Sequence, residues 1–160
     1  MKNLIIVIQL CLVGNILYAQ NSQHQYEQIG FDFFIKNVIV KEFNYVKFFV
    51  YNGMIDTKSN GYSDCMYIKE NDIGVFDKTK EIDFTNNNGV KIVERISFFK
   101  RMFTSGFRIK NIHVFKSYIT KNEVMTCIAV YDDSQYTYFN FKIDPLTNQV
   151  VKYCKTVLIE

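Results

Sequence analysis

The sequence has no tryptophan, one proline and seven glycines among 160 residues. So little proline and glycine excludes a collagen-like, low-complexity or linker-like chain. Histidine is almost as scarce: His24 and His113 are the only two. Neither has a second ligand at metal-binding spacing, and His113 sits between Ile112 and Val114 in a strand-like run, so no metal site and no cofactor is expected. A long apolar run is lacking too. Residues 4–19 form a stretch of 16 interrupted by Gln9, Gly14 and Asn15, short of the roughly 20 needed to cross a bilayer. Charge of one sign is missing as well, with 19 basic against 16 acidic residues. The densest basic cluster, Lys100-Arg101 with Arg95 and Arg108 nearby, reads as a solvated face rather than the stripe of a nucleic-acid binder.

What is present starts at the N-terminus. Met1-Lys2-Asn3, the apolar residues 4–13 and Leu17-Tyr18-Ala19 before Gln20 have the three-part layout of a bacterial secretory signal peptide, with cleavage expected after Ala19. Gln9 stands where a lipoprotein signal needs a small residue ahead of Cys11. Residues 1–19 are therefore expected to direct export, to the periplasm or beyond as a secreted protein, and to leave no stable membrane span. Residues 20–160, 141 in number, suit one domain able to bury a core unaided. They keep 18 basic and 16 acidic side chains, since Lys2 is the one charged residue removed. That balance favours no class of partner. Hydrophobic residues make up 48% of the chain and aromatics 16%, which marks a packed, strand-rich domain. The remaining cysteines, Cys65, Cys127 and Cys154, are odd in number and too far apart in sequence for a metal-binding pair or redox motif, so at most one intramolecular bridge can form.

Tyr26, Ile29, Phe33, Phe34 and Val38 recur at helical spacing behind the N-cap candidate Ser22, predicting a helix over residues 23–40. Residues 43–51, crowded with aromatic and β-branched side chains, predict a strand closed by a turn at Asn52-Gly53. Short strands are expected at 62–69 and 73–76. After the break at residues 86–89, Ile92, Ile96, Phe99 and Phe103 form one stripe of a second amphipathic helix, stopped at Gly106. Four strand-like runs follow at 108–118, 124–131, 136–143 and 150–158, separated by short polar turns, and predict an antiparallel meander. In that meander Cys127 and Cys154 lie on strands flanking a third, about 9–10 Å apart, beyond the roughly 7 Å reach of a disulfide. Along 136–143, Thr137, Phe139, Phe141 and Ile143 share one face, and Tyr136, Tyr138, Asn140 and Lys142 the other.

The expected architecture is a single α+β domain: an N-terminal helix and a second helix packed on a curved antiparallel sheet that ends in a four-strand meander. This order of elements resembles the cystatin-like group of folds, and within it the nuclear transport factor 2-like family. That resemblance implies helices seated in the concavity of a bent sheet. It also implies, in the family's enzymes, an Asp or His base and a Tyr donor in an apolar cone. No residue motif carries such a role onto a position of this chain.

For chemistry, His113 is the one base that a nucleophile such as Cys127 or Ser117 could use, and nothing in the spacing demands the pairing. Asp132, Asp133 and Asp144 read as turn residues that cap backbone NH groups. No catalytic residue is therefore assigned. The face Tyr136, Tyr138, Asn140 and Lys142 is the candidate binding surface, because tyrosine joins a rigid apolar body to a polar tip. The first expectation is an exported, non-enzymatic binding domain for an unidentified protein or small ligand. The alternative is a small pocket-bearing enzyme or lipophilic-ligand carrier of nuclear transport factor 2-like type. A cavity of about 300 Å³ or more between the Ile92–Phe103 stripe and the Phe139, Phe141, Ile143 face would favour the alternative.

Overall fold

The computed structural model describes residues 26–55, 75–76, 82–85, 89–97, 103–104, 108–119, 123–132 and 135–159. The signal-peptide segment, Ser22, His24, Cys65, the strand expected at 62–69, the Lys100-Arg101 pair and Gly106 lie outside them.

The apolar positions Phe31, Phe34, Ile35, Val38 and Ile39 recur every three or four residues and are all buried. They form one side of α1, which is an α-helix over Tyr26–Phe33, widens to a π-helix over Phe34–Ile39 and closes with an α-turn over Val40–Glu42. The widening has a local partner: the Asn37 side chain donates to the Phe33 carbonyl at 3.1 Å, the acceptor that the Asn37 backbone NH would use in an unbroken α-ladder. Gln28 clamps the backbone of Asp83, donating to its carbonyl at 2.8 Å and accepting from its NH at 2.9 Å. Buried Ile82 is thereby docked against the helix.

The chain then turns at Asn44 and Tyr45, with the Val46 NH donating to the Phe43 carbonyl, and enters β1, Phe48–Ile55. The strand starts later than expected and does not end at Asn52-Gly53. Gly53 has a φ of +92°, and the register shifts between Tyr51 and Met54, so the pair forms a bulge and the strand runs on. Because the chain does not fold back there, β1 meets its neighbours in parallel. It pairs with β3, Ile92–Val93, on one edge and with β4, Ile109–Ile119, on the other. Two expectations are corrected by this. The sheet is mixed rather than wholly antiparallel, and Ile92 belongs to a strand rather than to a second helix. Ile92-Val93 are β-branched and fit a pleated edge, and residues 94–97 are not helical.

Beyond β4 each strand is antiparallel to the next: β5, Val124–Asp132, β6, Gln135–Asp144, and β7, Gln149–Ile159. β2, Val75–Phe76, pairs antiparallel with Tyr118 and Ile119, taking over the edge of β4 where β1 leaves it. The open order is β3-β1-β4-β5-β6-β7. At the β6–β7 turn Asp144 accepts from the Leu146 NH and the Thr147 hydroxyl, and Asn148 takes a left-handed φ of 54°, the conformation asparagine tolerates.

α1 packs across the sheet onto Ile112, Val114, Ile128, Val130, Phe139 and Phe141. Full burial of each such side chain is worth about 1.5–3 kcal/mol, which makes this face the main source of stability. Glu27 is buried on the same helix and accepts a hydrogen bond from the Ser117 NH. That NH lies within the irregular stretch of β4 between Phe115 and Tyr118, so the carboxylate holds a backbone donor at a break in the ladder.

Candidate functional site

The space between the helical layer and the sheet is occupied. Phe139, Phe141 and Ile143 are wholly buried. Phe34 meets Phe139 at 5.2 Å between ring centroids, Phe43 meets Phe49 at 6.0 Å and Phe139 at 5.9 Å, and Phe33 meets Phe141 at 5.8 Å. The covering rings come from α1 and the turn after it. Of the stripe expected to cover this face, Ile92 is in β3, Phe103 is 85% exposed and Phe99 lies outside the described residues. This face is a core, not a ligand chamber.

The opposite face carries the four candidate binding residues. Tyr131 stacks on Tyr136 at 4.3 Å, Tyr136 on Tyr138 at 5.8 Å, and Tyr138 packs on Phe115 at 6.2 Å. The ring faces are turned to one another, so what Tyr136 and Tyr138 offer a partner is edges and hydroxyl tips. Asn140 is fully buried, in one row between Cys127 on β5 and Cys154 on β7. Lys142 pairs with Glu123 at 2.5 Å and stands directly opposite Lys152, so the carboxylate relieves a like-charge pair across the strands. The structure thus sets these four residues on one face but gives them three different surroundings.

Cys127 is a buried thiol outside any disulfide, whereas Cys154 is disulfide-bonded. The two, separated by the β6 strand, are not joined to each other. His113 is half-buried, and burial lowers its pKa below the usual 6.5. Its Nε2 lies 3.5 Å from Asn52 Nδ2. Opposite it on β5 is Ala129, with Cys127 one diagonal step away, a spacing of about 7–8 Å in the backbone. Ser117 is wholly buried. Neither nucleophile is therefore presented to a solvent-borne substrate with His113 poised beside it. Among the described residues no three His, Cys, Asp or Glu side chains gather as metal ligands, and no helix is long and apolar enough to cross a membrane.

The feature that the sequence did not announce is a cleft of about 430 Å³ where α1 ends, lined by α1, the following turn, the start of β1 and residues 89–91. Ile39, Phe43 and Phe49, all buried, form its floor. Val46 and Val90 are half-buried walls, and Val40, Asn44, Lys47, Gly89 and Lys91 are an exposed rim. Backbone bonds fix the frame, from the Phe43 NH to the Ile39 carbonyl, from the Lys47 NH to the Arg108 carbonyl and from the Phe49 NH to the Lys91 carbonyl. Nothing in residue periodicity marks this site, because its lining comes from two separate stretches of the chain, 39–49 and 89–91. Their adjacency depends on the parallel pairing of β1 with β3.

Comparison of the chain with protein-family models, with curated proteins and with solved structures finds no match. The cystatin-like and nuclear transport factor 2-like resemblance of element order gains no support from them.

Proposed function

We propose that this chain is an exported, non-enzymatic binding domain whose ligand seat is the cleft at the end of α1. The carrying observation is the cleft itself: about 430 Å³, within the roughly 300–1,000 Å³ range of small-ligand pockets, with an apolar floor and a few polar groups at its rim. The export half of the reading rests on residues 1–19, and N-terminal sequencing of the protein from the periplasm or medium should begin at Gln20. Retention of Met1 in the protein recovered from either place would sink it.

The binding half is tested with N-phenyl-1-naphthylamine, a neutral apolar fluorescent probe. It should bind saturably at one site on the folded 20–160 chain, and Val40→Trp should abolish the signal by filling the cleft. Val40 is 61% exposed, so the variant should unfold at the same urea concentration as the parent. Absence of saturable binding, or binding untouched by Val40→Trp, would refute the cleft as the seat.

A further inference from the structure

Among the described residues, Lys47 and Lys91 are the only charged ones in the cleft lining, and no described carboxylate joins them there. Among the described residues neither lysine is ion-paired. The Lys91 ammonium rests 5.8 Å from the centre of the Phe48 ring, a contact that an anion at the rim can outcompete. The nearest acidic side chain on α1, Glu42, is engaged by Lys155 at 2.6 Å and so does not supply the missing counter-charge. The end of α1 brings a partial negative charge of about half a unit, which weakens the positive character of the rim without cancelling two ammonium groups. An apolar floor under two cations that no described carboxylate compensates is complementary to one kind of small molecule.

We propose that the cleft takes an anionic apolar molecule, its hydrocarbon or aromatic body on Phe43 and Phe49 and its acid group held at the rim by Lys47 and Lys91. The proposal rests on the reading of the cleft as the ligand seat and adds the charge and polarity of the ligand.

The test compares two probes that share one skeleton. 1-Anilinonaphthalene-8-sulfonate is N-phenyl-1-naphthylamine with a sulfonate added, so the difference in their affinities for the folded chain isolates the contribution of the negative charge. Each exposed ion pair is worth roughly a twofold to fivefold gain in affinity, so with two lysines the sulfonate should bind about fourfold to twenty-five-fold more tightly than the neutral probe. Lys47→Gln with Lys91→Gln should bring the two affinities to within about twofold while leaving the neutral probe unchanged, and added salt should narrow the gap in the parent. Lys47→Glu should turn the preference toward the neutral probe. Urea midpoints measured alongside should match the parent, since both lysines are exposed.

Equal affinities in the parent, or a preference for the sulfonate that survives the double substitution, would overturn the proposal. In either case saturable binding of the neutral probe that Val40→Trp removes would leave the cleft as the seat. If neither probe binds, both readings fall.

Discussion

Gly30 marks a close approach of α1 to the sheet. A Cβ added there would lie 2.4 Å from Thr126 Cγ2, whereas carbon atoms in contact need about 3.5–4.0 Å. Thr126 is wholly buried on β5 and its hydroxyl donates to the Phe115 carbonyl at 3.3 Å, so the methyl has nowhere to swing. Gly30→Ala must therefore lift the helix by roughly 1 Å or strain the strand. Overpacking of this kind costs about 1–3 kcal/mol. The upper half of that range is expected here, because the same helical face carries Phe31, Phe34 and Ile35. Alanine in place of glycine returns up to about 1 kcal/mol of helix propensity, leaving a net loss of about 1–2 kcal/mol. Thr126→Ser deletes the obstructing methyl while keeping the hydroxyl, at a cost of about 1 kcal/mol. In the double variant the alanine methyl occupies the vacated space, so the losses should fall short of additive by about 2 kcal/mol. Urea unfolding of the four proteins, followed by far-UV circular dichroism, measures the cycle. A Gly30→Ala variant as stable as the parent, or strictly additive losses, would refute the close approach.

Glu27→Leu leaves the buried Ser117 NH without its acceptor and should cost about 1–3 kcal/mol in urea unfolding, while Glu27→Gln keeps an acceptor oxygen and should lose distinctly less; equal losses would show that the hydrogen bond contributes nothing. Burial holds the His113 pKa below 6.5, so the unfolded chain binds its proton first and stability falls as pH drops through 6.5 toward the folded value. An NMR titration of His113 in the folded chain should give a midpoint below 6.5, and His113→Gln should flatten that part of the stability profile; a midpoint at or above 6.5 counts against the account. Peptide mapping without reductant should find Cys154 in a disulfide and Cys127 as a thiol, with Cys127 alkylated only after unfolding because it is wholly buried. Labelling of Cys127 in the native protein as fast as in urea would contradict that burial.

The strands β4 to β7 were legible in the sequence to within a residue or two at each end, because their alternation is regular and the turns between them carry Asp, Pro and Asn. The helix was legible from the three- and four-residue spacing of its apolar positions, apart from its π-helical centre, where the Asn37 side chain bonds the Phe33 carbonyl. The first half of the sheet was not. Asn52-Gly53 is a strong hairpin signal, yet a positive-φ glycine serves a bulge as well as a turn, and only the neighbouring strands decide between them. β1 instead continues through Gly53 to Ile55 and pairs in parallel with β4. The stripe Ile92, Ile96, Phe99, Phe103 failed differently. Its first residue, Ile92, is followed by a second β-branched residue, Val93, and an edge beside Phe49 and Val50 was open to receive the two.

The candidate site shows what alternation leaves out. It placed Tyr136, Tyr138, Asn140 and Lys142 on one face correctly but said nothing of how much of that face is covered. A signal for the cover lay one strand away. Residues 124–130 are Val-Met-Thr-Cys-Ile-Ala-Val, apolar or small at nearly every position, the pattern of a strand shielded on both faces, and all seven are buried. Asn140 lies beside Cys127 in that strand and is shielded with it. The face is therefore closed at Asn140 and partly open on either side of it, at Tyr136 and Tyr138 and at Lys142; six residues of extended chain set Tyr136 and Lys142 about 20 Å apart. A small ligand cannot touch both ends, and Lys142 already has Glu123. The cleft at the end of α1 brings its apolar floor and both its lysines within the reach of one small molecule, which is why it, rather than the tyrosine face, is the stronger seat for a small ligand.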